Sequence, residues 1–377
     1  MQWNARNAPG RREQENHDRL LERTRETHAV KDMTIEPPKD FDDLRRTSAR
    51  IGADPLLIQS AGGNTSVKEG DAMWIKASGT VLAEALTRDV FVPVDLPGIR
   101  KALSAGAPSA DHPAEFLLSR GALRPSVEAS LHAVFPQRVV LHAHCVNTLA
   151  FAIRADARER LAERLAGFAW IFQPYVKPGA PLANEISRAL EPGVDVVVLG
   201  NHGVLVAGDT VGEAEALLHR VAAALSATPA KVGRPDLAGL AAVAGDGYEP
   251  PEADHPLHGV ALSTRLLEIA GGGAFYPDHV VFCGVDATAL APGETAGTVV
   301  ARRKAAGLPP PVFLFVPGKG ALIRSEASAG AKALARCFGD VLLRFPPDAT
   351  PHYLTAEQSA ELLDWDAEKY RLALNSR

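Results

Sequence analysis

Through the first 228 residues, short apolar runs alternate with stretches whose apolar positions recur every three or four residues. The runs read as strands and the stretches as helices. Phe41, Leu44, Ala49 and Ile51 predict a helix ending near Gly52. Leu56 to Ile58 predict a strand entering the glycine turn Gly62-Gly-Asn-Thr-Ser66, and Met73 to Lys76 a strand ending at Ser78-Gly79. Thr80 to Thr87 reads as a helix capped by the Thr80 hydroxyl. Phe91 to Val94 is strand-like, and a Pro/Ala-rich connection follows it. Glu128, Leu131, His132 and Phe135 share helical spacing, which turns Glu128 and His132 to one side of a helix over 124–135. Beyond them come a strand at 139–144, a helix at 148–166, a loop at 174–179 and a helix at 182–190. A buried strand at 195–199, a hairpin partner at 204–210 and an amphipathic helix at 211–225 complete the series. Such alternation defines an α/β domain over 37–228.

The remainder has a different texture. Residues 1–36 are charged and polar without a sustained apolar period, apart from Leu20 and Leu21, and are expected to be a disordered tail. A translation start at Met33 would leave the stretch before it outside the protein. Residues 229–257 carry Pro, Gly, Asp and Ala and read as a linker. Residues 258–377 predict a smaller α/β domain of unassigned role. It has helices at 262–270, 295–306, 325–343, 355–363 and 364–374, and strands at 279–283, 312–316 and 321–324.

Composition narrows the function classes. The net charge of -5 gives no electrostatic basis for binding nucleic acid or an anionic membrane. No apolar run is long enough to span a bilayer, and the polar N-terminus has no signal-peptide core. Three scattered cysteines make no disulfide framework and point to a reducing, cytoplasmic compartment. Cys145 would face away from its histidine neighbour on a strand, as a packed thiol.

The candidate chemistry lies in the first domain. His142 and His144 are two apart on a predicted strand, so their imidazoles face the same way about 7 Å apart. His202 ends another strand, in Asn201-His-Gly203. Three neutral imidazoles with an open position describe a catalytic zinc site, although a lone histidine near a strand end is more often a hydrogen-bonded core or surface residue. The two glycine-containing turns, Gly62-Gly-Asn-Thr-Ser66 and Ser78-Gly79, read as hairpin connections or, opening on one sheet end, as an anion cradle. Lys68 or Lys76 could add charge there. Lys319, in Pro317-Gly-Lys-Gly320, fits a turn better than an anion site.

Taken together and in this order, Gly62-Gly-Asn-Thr-Ser66, Ser78-Gly79, Pro125-Ser-Val-Glu128, His142-Ala-His144 and Asn201-His-Gly203 resemble the class II aldolase/adducin family over about residues 40–228. The wording is most similar to the aldolase portion of rhamnulose-1-phosphate aldolase/dehydrogenase proteins. A dehydrogenase portion is not matched, so hydride chemistry is not implied. The resemblance implies a three-layer αβα domain with a central mixed sheet. It implies His142, His144 and His202 as ligands of Zn²⁺ or another divalent metal, with Glu128 as catalytic acid/base. It also implies Gly63, Asn64, Ser78, Gly79 and Ser126 as substrate- or phosphate-binding positions. Relatives often carry a second serine where this chain has Val127, which removes a hydroxyl from that cradle. The implied activity is retro-aldol cleavage of a ketose phosphate or related sugar, through a metal-stabilised enediolate, to a dihydroxyacetone-type product and an aldehyde. A sugar-phosphate 4-epimerase, a 3-oxo sugar-acid phosphate decarboxylase and a non-catalytic adducin-like module are the alternatives. A homo-oligomer, by resemblance a tetramer, is expected.

Overall fold

A computed structural model describes residues 35–119, 121–245 and 247–365. The expectations for Leu20, Leu21 and Met33, and the last helix expected at 364–374 from Asp366 on, lie outside them. From Pro37 on, the described residues form one compact unit.

Its centre is a seven-stranded sheet: β1 (Asn64–Glu69), β2 (Ala72–Lys76), β3 (Phe91–Asp95), β4 (Val139–Ala143), β5 (Trp170–Gln173), β6 (Val196–Leu199) and β7 (Gly203–Gly208). The order is β3-β2-β1-β4-β7-β6-β5. All pairings are antiparallel except β5 with β6, so the sheet is mixed, as expected. Alternation along the strands divides the sheet's apolar side chains between two cores. Val139, Leu141, Val196, Val198, Val204 and Val206 pack with helices Phe41–Ala53 and Val211–Ala224. Val140, Val197, Leu205 and Ala207 pack on the other face with helices Leu96–Ser104, Ala129–Ala133 and Ala180–Ala189. Helices on both faces make the three layers.

The C-terminal part carries a second, smaller antiparallel sheet, with β8 (Tyr248–Glu249), β9 (Phe313–Val316) and β10 (Gly320–Arg324) in the order β8-β10-β9. Helix Leu237–Ala244 and β8 occupy the stretch expected as a linker. One apolar cluster runs from Val146, Leu149, Ala150 and Ile153, just after β4, into Leu257, Phe275, Val280, Phe338 and Phe345. Helix Val146–Ala152 therefore shares its core with the C-terminal part rather than with a separate neighbour.

Several elements differ from their sequence reading. The first strand follows the glycine turn instead of preceding it, starting at Asn64. Residues 80–87 hold only a short 3₁₀ turn at Leu82–Glu84; the Thr80 hydroxyl donates to the Ala77 carbonyl (2.7 Å) and caps nothing. The Pro/Ala-rich connection contains helix Leu96–Ser104, whose Asp95 cap accepts from Gly98 N, with Pro97 in the first turn. The helix expected at 148–166 is broken into Val146–Ala152 and Ala157–Arg164 where Arg154 turns back onto Asp156. Residues 277–283 are a helix, not the expected strand. A five-residue apolar run fits either state, and Pro277 with Asp278 in the first turn decides for the helix.

Candidate metal centre

Three elements converge at one end of the central sheet. His142 is the next-to-last residue of β4, opposite Asn64 on β1 and Leu205 on β7. His144 lies just past the same strand end. His202 reaches it through the hairpin: Leu199 pairs with Gly203, and Val204 on β7 pairs with Ala143 on β4. The Asn-His-Gly run is what this turn needs. Asn201 adopts a left-handed φ of 54°, which asparagine tolerates better than most residues. A Cβ at Gly203 would lie 2.5 Å from the Ala143 carbonyl, so only glycine lets β7 approach β4 here.

The three imidazoles are buried, and their ligand atoms lie within 4.8 Å of one another. His142 Nδ1 donates to the Val204 carbonyl at 3.1 Å, because a carbonyl oxygen only accepts. His144 Nδ1 lies 2.8 Å from Asp278 Oδ2 and donates to that carboxylate. Both Nε2 atoms are thereby left as lone pairs, and they face each other at 3.1 Å. Burial holds His142 below its ordinary pKa and His202 down to about 3, with the Glu128 charge opposing in part, so both are neutral at neutral pH. Converging imidazole lone pairs repel unless a cation lies among them. The donor set therefore fits a divalent metal bound by the three histidines.

Glu128 faces this cluster. It caps the short helix Ala129–Ala133, with Oε2 3.5 Å from His142 Nε2 and Oε1 3.5 Å from His202 Nε2. Asn64 Nδ2 donates to Glu128 Oε2 (2.7 Å) and to Ser126 Oγ (3.3 Å), and Ser126 Oγ also accepts from Glu128 N. Among the described residues, Glu128 Oε1 and His202 Nδ1 are buried without a hydrogen-bond partner. Burial disfavours the Glu128 charge, but the positive charge that the imidazoles gain as they take up protons and the Asn64 donor outweigh it and hold the pKa at about 2. Glu128 is thus a carboxylate at neutral pH.

Gly63, Asn64, Ser78, Gly79 and Ser126 all line one cavity of about 40 Å³ with Glu128, His144 and His202. Lys76 lines it too, its ammonium donating to the Ala61 and Gly63 carbonyls and fastening the glycine turn. Lys68 does not reach it: its ammonium caps the Phe135 and Gln137 carbonyls, and burial lowers its pKa to about 7. His132 points instead to Ser66 (2.7 Å). Cys145 is a buried free thiol, like Cys283 and Cys337. A wider groove of about 840 Å³ shares Ser78 and Val127 with the cavity and is also lined by Arg124 and Lys177. The sequence reading missed Asp278 and Pro277, which close the cavity from the C-terminal part. The available signal was one acid between a proline and an apolar run.

The buried histidine triad at the end of the mixed sheet could hold a metal ion. Residues 45–227 match the family described as Class II Aldolase and Adducin N-terminal domain. The chain is 29% identical over 188 residues to an uncharacterized oxidoreductase, YuxG, of Bacillus subtilis; the match covers 46% of this chain and 27% of that protein. The chain thus spans about a quarter of that relative's length. Among solved structures, it is similar to the N-terminal class II aldolase domain of a conserved protein from Thermoplasma acidophilum. That likeness has 28% identity and a TM-score of 0.45, covering 52% of this chain and 96% of the other. It is also similar to L-fuculose-1-phosphate aldolase from Thermus thermophilus, with 19% identity and a TM-score of 0.35, covering 49% and 90%. Among the described residues, no helix is long and apolar enough to cross a membrane.

Proposed function

We propose that the protein is a zinc-dependent aldolase that cleaves a ketose phosphate or related sugar to a dihydroxyacetone-type product and an aldehyde. The observation that carries this reading is the convergence of the His142, His144 and His202 ligand atoms within 4.8 Å, with the Glu128 carboxylate facing them. A divalent cation held by those histidines supplies Lewis acidity for the negative charge that develops on adjacent substrate oxygens as the carbon–carbon bond breaks. Glu128 handles the proton at the neighbouring carbon. In the condensation direction its carboxylate removes that proton; in cleavage its acid form returns it to the enediolate. Asn64 orients Glu128 through the 2.7 Å bond, and Ser126 holds the Glu128 backbone. The Gly63 and Ser78-Gly79 turns, with Lys76, are the anion side of the cavity, and the wider groove takes the rest of the sugar. A cytoplasmic homo-oligomer belongs to the same reading.

A sugar-phosphate 4-epimerase is the second reading. Asp278 lines the same cavity as Glu128, so the cavity holds the second carboxyl group that a rotated aldehyde would need. Product analysis separates the two: free aldehyde supports the aldolase, and an inverted sugar with no aldehyde supports the epimerase.

Glu128→Gln keeps the shape of the side chain and removes its proton chemistry. It is expected to lower turnover by about 10²-fold or more at unchanged zinc content. Cleavage at the wild-type rate by zinc-loaded Glu128→Gln would refute the role of Glu128.

A further inference from the structure

The C-terminal part reaches the metal centre at two points. Asp278, 2% exposed, accepts from His144 Nδ1 at 2.8 Å. Gly62 makes room for it: a Cβ at residue 62 would lie 3.0 Å from both Asp278 Oδ2 and His144 Nδ1, and 2.8 Å from the Gln59 carbonyl. The second point is the turn that carries His202. Asn201 Nδ2 donates to the Phe275 and His352 carbonyls, each at 2.8 Å, and Asn201 Oδ1 lies 2.8 Å from His352 Nδ1. Phe275 and helix Pro277–Cys283 are anchored in the apolar cluster that includes Val146, Leu149 and Ile153, directly after His144. His142, by contrast, donates to the Val204 carbonyl within the seven-stranded domain.

We infer that the C-terminal part is the outer shell of the metal centre, with Asp278 as the positioning residue that fixes the tautomer and direction of His144. The inference rests on the reading of the three histidines as metal ligands. A carboxylate that accepts from the distal N–H of a ligating imidazole fixes the ring and raises its basicity. Loss of such a partner costs about 10- to 100-fold in metal affinity. The neutral amide of Asp278→Asn can still accept through its oxygen, so it keeps the orientation and loses only the charge. Asp278→Ala loses both.

The test measures zinc dissociation constants by chelator competition for the full-length wild type, Asp278→Asn and Asp278→Ala, with thermal melting of the metal-free forms beside them. We expect about 10- to 100-fold weaker zinc binding in Asp278→Ala and an intermediate loss in Asp278→Asn that is unrelated to melting temperature. A companion measurement needs no variant: nitrogen-15 histidine spectra of the metal-free wild type are expected to show the His144 proton on Nδ1. Zinc affinity within about twofold of wild type in folded Asp278→Ala, or the His144 proton on Nε2, would overturn the inference while leaving the proposed function standing. A wild type that binds no divalent metal would overturn both. If Asp278→Ala does not fold, Asp278→Asn and the spectra decide.

Discussion

The two parts of the chain hold different shares of the site. The seven-stranded domain supplies the three histidines, Glu128 and both turns; the C-terminal part supplies Pro277 and the buried Asp278 carboxylate at the cavity, and the Phe275 and His352 carbonyls that hold Asn201 beside His202. The first set is local. His142 and His144 are two residues apart, and His202 comes in through one hairpin. The second set is remote: Asp278 is 134 residues from its partner. Candidate ligands can therefore be read from spacing, while the groups that contact them come from wherever the core brings another element close.

The division of labour can be broken at the clasp between the two parts. Asn201→Ala removes the donors to the Phe275 and His352 carbonyls and leaves those groups without their partner. Each unsatisfied buried group costs about 1–3 kcal/mol, and alanine tolerates the left-handed backbone worse than asparagine. We expect stability to fall by about 2–4 kcal/mol in urea unfolding, with weaker zinc binding alongside. A change under about 1 kcal/mol would mean that the two parts are not coupled through this turn.

Acidification is a gentler probe of both parts. Burial holds His132, in the first part, and His279, in the second, down to about 3, and His255 to about 4. The unfolded chain takes up protons on these residues at the ordinary histidine pKa, whereas the folded chain does not. Stability is therefore full above about pH 6.5 and falls as the pH drops towards the folded values. At about pH 5.5 each such histidine removes on the order of 1 kcal/mol. The urea midpoint of the metal-free protein is expected to decline between about pH 7.5 and pH 5.5 in a single transition. An unchanged midpoint would contradict the buried, neutral state of these side chains.

Much of this was legible in the sequence because it depends on short-range order. Short continuous apolar runs mark β4, β6 and β7, and the alternation of side chains along a strand assigns each to one of the two cores. The family recognition rested on motifs that this sheet brings together. What failed was short or context-dependent. The apolar run at 279–283 fits a strand or a helix equally until Pro277 and Asp278 are weighed, and that choice concealed the carboxylate beside His144. Helix Leu96–Ser104 was hidden by Pro97, which in fact lies in its first turn. Strand β5, half-buried along its length, has no alternation to mark it. The break after Ala152 is made by tertiary contacts, where Arg154 and Ala155 meet Pro351 and Thr350 of the C-terminal part.

The central claim is that three converging histidines hold a catalytic metal. Metal analysis of the purified wild type beside His142→Ala and His202→Ala tests it most directly. The account predicts about one zinc per chain in the wild type and its loss in both variants. A wild type that stays metal-free after reconstitution with zinc, or variants that keep a full complement, would contradict it.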